Sequence, residues 1–155
     1  MKKSIILLLA TALLAATALA YKQEDLDKLR ETGSCPSCDL SETDLSFANL
    51  ENANLSGTNL QDTNLTGSNF FQADLSQANL AGADLSKADM LAANLAGVDL
   101  TATDLLRADM READLRGSNL TGAVLLNAQI DFADFTNAKL CNTVMPDGQR
   151  IFKDC

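Results

Sequence analysis

The sequence predicts an all-β solenoid, and three observations carry that prediction. Read in fives from Pro36 to Met145, the chain gives twenty-two successive units without an insertion. The fifth residue of each unit is always large and apolar: Leu in sixteen, Met at 90, 110 and 145, Phe at 70 and 135, and Ile at 130. The third is Ala in thirteen units and otherwise Thr, Ser, one Val or one Cys, while the fourth is Asp in ten and Asn in eight. A fixed period of this kind decides the architecture before any local propensity does.

Five residues match neither standard element. On a helix at about 100° per residue, successive fifth positions would spiral around the whole surface. On an unbroken strand an odd period would send them to alternate faces. Both conflicts vanish if the chain turns a corner once per unit. Slots three and five, two apart, then point inward together, and large residues stack on large residues along the axis. Six of the eight glycines, Gly57, Gly67, Gly82, Gly97, Gly117 and Gly122, occupy the second slot, as do Asn127, Asn137 and Asn142. These are the residue types that tolerate positive φ, so the corner is placed there.

Four segments follow in chain order. Residues 1–20 open with Met1-Lys2-Lys3, run through an apolar stretch from Ile5, and end in Ala18-Leu19-Ala20. That is a secretory signal, with cleavage expected before Tyr21. Residues 21–34 form an N-terminal capping helix, with Leu26 and Leu29 on one face and Gly33 as its stop, lying as a lid over the first coil. Residues 35–145 are the repeat. Residues 146–155 form a turn or hook, because Pro146-Asp147-Gly148 is a strong turn signal flanked by Val144, Met145, Ile151 and Phe152, and this hook is the second lid.

From Cys38 to about Leu140 the chain closely resembles the pentapeptide-repeat proteins, whose motif is Ala, Asp or Asn, Leu, then two variable residues. The resemblance implies a right-handed quadrilateral parallel β-helix with four units per coil. Residues twenty apart would then lie above one another at about 4.8 Å, and five and a half coils would make a rod of roughly 26 Å. Leu40, Leu60, Leu80, Leu100, Leu120 and Leu140 would share one internal column, and Leu50, Phe70, Met90, Met110 and Ile130 another. The head Cys35-Pro36-Ser37-Cys38-Asp39-Leu40 and the tail from Cys141 to Gly148 are similar to those of exported or lumenal cyanobacterial members.

All four cysteines lie at the ends of the repeat. In an exported chain an even count suggests disulfides. A bond between Cys141 and Cys155 would close a loop of about fifteen residues and contribute roughly 3 kcal/mol in the chain-entropy model. Cys35 and Cys38 form a C-x-x-C, either bonded to each other or left as capping thiols. A thioredoxin-like redox role needs a βαβ setting that does not follow here. The two pairs sit at opposite ends of the rod, too far apart to share one zinc ion.

On the outside, the fourth-slot ladders, such as Asp84 over Asp104 and Asp89 over Asp109, could in principle hold protons or a cation. Asp and Asn interchange along them, however, and a catalytic acid cannot be Asn in the next unit, so local bonds to corner backbone are expected instead. Lys87 and Arg107 are twenty apart and should stack on one face, with Arg111 and Arg116 on the next corners. They form a small basic patch partly neutralised by Glu112 and Asp114. Of the outward aromatics, Phe47 and Phe132 are expected under the two lids, which leaves Phe71, in mid-rod, as the aromatic of a contact surface.

The function classes narrow accordingly. Ten basic and twenty-one acidic residues beyond residue 20 give the mature chain a formal charge of −11, and the sequence has no His, no Trp and one Tyr. That disfavours nucleic-acid and anionic-membrane partners and removes the usual general base and commonest metal ligand. The expectation is a non-catalytic exported scaffold or protein-interaction module, without cofactor or metal, in the periplasm or thylakoid lumen. With both ends covered, it would be a monomer. The alternative that the resemblance implies is an acidic DNA mimic that engages gyrase, against which the export signal and the basic patch both argue.

Overall fold

The computed structural model describes residues 22–155. The expected leader lies outside the described residues. A helix, α1, spans 22–32. It ends where Gly33 adopts φ +69° and its N–H donates to the Leu29 carbonyl at 2.8 Å, a left-handed cap that costs a glycine little. The only ladder of regular strands among the described residues is an antiparallel hairpin of β1, Leu140–Val144, and β2, Arg150–Lys153. No described helix is long and apolar enough to cross a membrane.

Between α1 and β1 the chain is a coil of pentapeptides. Parallel bridges join fourth-slot residues twenty apart without a break, from Asp39–Asn59 to Val124–Val144. Each turn of the solenoid therefore takes four units and has four sides, here numbered from the units 36–40, 41–45, 46–50 and 51–55. Fifth-slot side chains fill the interior, and from Leu55 to Leu125 every one is buried. Buried third-slot residues lie beside them, and Thr58, Thr63, Thr103 and Thr143 donate their hydroxyls to main-chain carbonyls 23 residues earlier, so among the described residues no buried side-chain polar atom is stranded.

The corner explains the rest of the pattern. Every second-slot residue has φ between +54° and +73°, including Phe47, Lys87, Ala92, Ala102, Arg107 and Phe132. It is the third residue of a β-turn closed by a bond such as Thr63 N–H to Leu60 O at 3.3 Å. With two of five residues in the turn, each side keeps only a three-residue extended stretch, too short for a named strand.

All five amide hydrogens of a mid-rod unit have a destination. Slots two and five donate to the following coil, slot four to the preceding one, as in Asp62 N–H to Ala81 O, Leu60 N–H to Asn79 O and Asn79 N–H to Thr58 O. Slot three closes the turn. Slot one points at no backbone carbonyl, and the Asp or Asn two residues earlier accepts it, as Asn79 does from Ala81 at 3.1 Å and Asp84 from Ser86 at 2.9 Å. That is why the fourth slot is Asp or Asn. Where it is Val144 instead, the residue two later is Pro146, which has no amide hydrogen to place.

The two ends are finished differently. At the first coil, α1 lays Leu29 on the core, the Asp25 carboxylate accepts the Asp39 amide at 2.8 Å, and the Ser34 hydroxyl accepts that of Asn54 at 3.1 Å, both in place of a preceding coil. Cys35 is bonded to Cys38 there, and Cys141 to Cys155 at the other end. The expected second lid is only partial. Its hairpin starts at Leu140 and takes in most of the last unit, and β2 extends the second side by one rung. The expected shelter of two aromatics fails as well, for Phe47 is 77% and Phe132 90% exposed. A left-handed corner throws its side chain outward, away from the axis that a lid covers.

A candidate interaction surface on the third side

Charge is distributed unevenly around the rod. The second side carries Glu42, Asp44, Asp62, Asp84 and Asp104 and no basic residue, and the opposite, fourth side has six acids against Arg111. The first and third sides are balanced. The third carries Lys87 and Arg107 against Asp89 and Asp109, with Asn49, Asn69 and Gln129 completing its fourth-slot column.

The coil gathers most of the predicted surface around this side. Phe47, Gly67, Lys87 and Arg107 stack along the corner where it begins, and Phe71, Leu91 and Arg111 along the corner where it ends. Arg116 belongs one corner further on. Lys87 and Arg107 are exposed and, among the described residues, make no ion pair. Arg111 and Arg116 are not free. Arg111 grips Asp109 through Nε and Nη2 at 2.8 and 2.6 Å, and Arg116 holds Asp114 in the same way, with Asp134 at 3.9 Å. Each guanidinium holds its carboxyl below the usual carboxylate range. The sequence suggested Glu112 and Asp114 as neutralising partners. Asp114 is one, to Arg116, but for Arg111 the partner is Asp109 and not Glu112, because a first-slot side chain lies beside the fourth slot two residues earlier.

The aromatics exchange roles. Phe71 is half-buried, whereas Phe47 lies on the surface with its ring across Gly67, so close that a β-carbon there would stand 2.7 Å from its Cε1. The missing side chain at position 67 thus leaves the ring its seat. Sequence alone offered a usable signal for this, a glycine one coil beyond an aromatic in the same slot.

Little else on the described surface could perform chemistry. Asp25 of α1 lies together with Cys35 and Cys38, but both sulfurs are committed to the disulfide. The Oδ1 atoms of fourth-slot Asp and Asn are engaged by corner amides, and neighbouring rungs join Asn to Asp or Asn, as Asn94 Nδ2 to Asp74 at 2.9 Å.

An uninterrupted coil of five-residue turns with inward Leu and outward Asx defines a parallel β-helix solenoid. Pentapeptide repeats, in eight copies, match residues 38–77, 68–107 and 108–145. The chain belongs to the pentapeptide-repeat family. Among solved structures it is similar to the pentapeptide repeat protein Rfr23 from the cyanobacterium Cyanothece 51142, at 24% identity and a TM-score of 0.77, over 79% of this chain and 98% of that one. It is also similar to QnrB1, a plasmid-mediated fluoroquinolone resistance protein, at 23% identity and a TM-score of 0.63, over 76% of this chain and 64% of that one. At these identities the likeness is one of fold. No curated protein matches the sequence.

Proposed function

We propose that this protein is a non-catalytic, exported scaffold, a right-handed four-sided rod whose third side docks a protein partner. The observation that carries the reading is the pairing pattern of the surface charges. Arg111 and Arg116 are bound to aspartates, and Lys87 and Arg107 are left free on a balanced side between two acidic ones. A side of this composition favours a partner segment that bears carboxylates opposite Lys87 and Arg107 and an apolar group against Phe47. The paired disulfides and the expected leader support export to an oxidising compartment such as the periplasm or the thylakoid lumen.

The test is affinity capture from that compartment with the intact protein and a Lys87→Glu, Arg107→Glu double variant. The reading expects a discrete partner that the variant loses. The same proteins retained by both forms, or a measurable turnover by the purified chain, would refute it. A second reading, the gyrase-directed DNA mimic, is favoured by the opposed acidic sides alone. It requires the protein to remain in the cytoplasm and to alter DNA supercoiling by gyrase in a purified assay.

A further inference from the structure

The main chain of the third side is saturated, and that restricts what can lie on it. In the units 66–70, 86–90 and 106–110 every amide already has an acceptor, as in Thr66 N–H to Asn64 Oδ1 at 3.2 Å, Lys87 N–H to Leu106 O at 2.9 Å and Asp89 N–H to Ser68 O at 2.9 Å. Of the carbonyls in these units, only those of Gly67, Lys87 and Arg107 accept nothing among the described residues. An extended peptide laid here would find no amide for its own carbonyls, so strand addition is closed to it. A partner has to bring a backbone that is already satisfied and make the contact with side chains.

Those side chains meet a column of fixed pitch. Parallel bridges between residues twenty apart set successive coils about 4.8 Å from one another. The Phe47 ring fills the place of the absent Gly67 side chain, its Cε1 2.7 Å from where a β-carbon would stand, and Lys87 and Arg107 follow on the next two coils. One apolar group and two cations therefore lie in line, the cations about 5 and 10 Å from the ring. On an α-helix, residues i, i+3 and i+7 share a face and lie about 4.5 and 10.5 Å apart along the axis, within about 1 Å of that column. Same-face residues of a strand lie about 6.6 Å apart, so a strand would miss the second cation by about 4 Å.

The charges choose the composition of the helix. Lys87 and Arg107 are like charges on adjacent rungs, exposed and without an ion pair among the described residues. Asp109 does not relieve Arg107, because Arg111 occupies both its oxygens. We propose, resting on the docking reading above, that the third side receives an amphipathic α-helix laid along the rod, with an apolar residue against the Phe47 ring and carboxylates three and seven residues from it against Lys87 and Arg107. Exposed ion pairs contribute little each, so such a helix in isolation binds with a Kd on the order of 1 mM.

The probe is an Ala-based peptide of about 16 residues with Leu, Glu and Glu at i, i+3 and i+7, locked as a helix by a lactam bridge on its far face, together with its reversed sequence, since a helix can run either way along the column. Titrated into the oxidised, isotope-labelled protein at about 20 mM salt, one of the two should shift the amide resonances of Phe47, Gly67, Lys87 and Arg107. A peptide with the same side chains broken by a central proline should bind at least tenfold more weakly, as should the intact peptide to the Lys87→Glu, Arg107→Glu variant. Lys139→Glu, which alters a charge on the first side, should change nothing. No shift from either helical peptide, equal binding of the proline-broken one, or an equal loss with Lys139→Glu overturns the helix. The docking reading is judged separately, by whether affinity capture returns a partner that the Lys87→Glu, Arg107→Glu variant loses, whichever way the peptides behave.

Discussion

Asn79 gives the sharpest test of why the fourth slot is Asp or Asn. It is half-buried in mid-rod, its Oδ1 accepts the Ala81 amide at 3.1 Å, and its Nδ2 donates to Asn59 Oδ1 at 3.1 Å. Asn79→Ala removes both bonds and leaves the Ala81 amide, which has no other partner, at a crowded corner. One unsatisfied amide costs about 1–2 kcal/mol and the lost side-chain bond about 1 more, for a total near 2–3 kcal/mol. Asn79→Asp keeps the acceptor and loses only the ladder donor, so it should cost about 1 kcal/mol. Urea denaturation of the oxidised protein, followed by circular dichroism at neutral pH, measures both. An alanine variant within about 0.5 kcal/mol of the parent, or an aspartate variant as damaging as alanine, would show that the fourth slot does not serve the corner amide and that the account is wrong.

The converse change, Val124→Asn, supplies an acceptor for the Leu126 amide, which has none among the described residues, and should stabilise by about 0.5–1 kcal/mol in the same melts. Ala92 and Ala102 hold φ +56°, so Ala92→Gly and Ala102→Gly should each raise stability by roughly 0.5–1 kcal/mol, against the usual penalty for glycine; a loss would contradict the corner geometry. Replacing both Cys141 and Cys155 by Ser should lower stability by about 3 kcal/mol, read as a shift in urea midpoint, and unreduced mass spectrometry of the parent should show both bonds. Asp109 and Asp114 titrate below their unfolded values, so they add stability above about pH 4 that is lost as pH falls through their lowered values. Arg111→Gln should flatten that acid limb in pH-dependent melts.

Much of this molecule was legible residue by residue. A large apolar residue at every fifth position and a small residue two before it dictated an interior, and the repeat's glycines, all in one slot, dictated a corner. These are local rules repeated twenty-two times, and repetition turns weak preferences into a firm assignment. The occupants of the fourth slot were also readable, because interchange of Asp and Asn leaves a shared oxygen as the common requirement.

Other features depended on where the coil returned. That Arg111 would choose Asp109 over Glu112 follows from the direction in which a first-slot side chain leaves the corner, which spacing does not reveal. That Phe47 would lie across Gly67, instead of under a lid, depends on a residue twenty positions away and on a left-handed backbone that expels its side chain.

The ends show the division most clearly. Periodicity fixes how each coil rests on the next, since every interior coil meets the same neighbour. A terminal coil has no such neighbour, and nothing in the repeat says what replaces it. The tertiary structure decided that α1, Asp25 and Ser34 close one end, whereas at the other end β2 completes one side and leaves Ile130, Phe132 and Phe135 at an open edge.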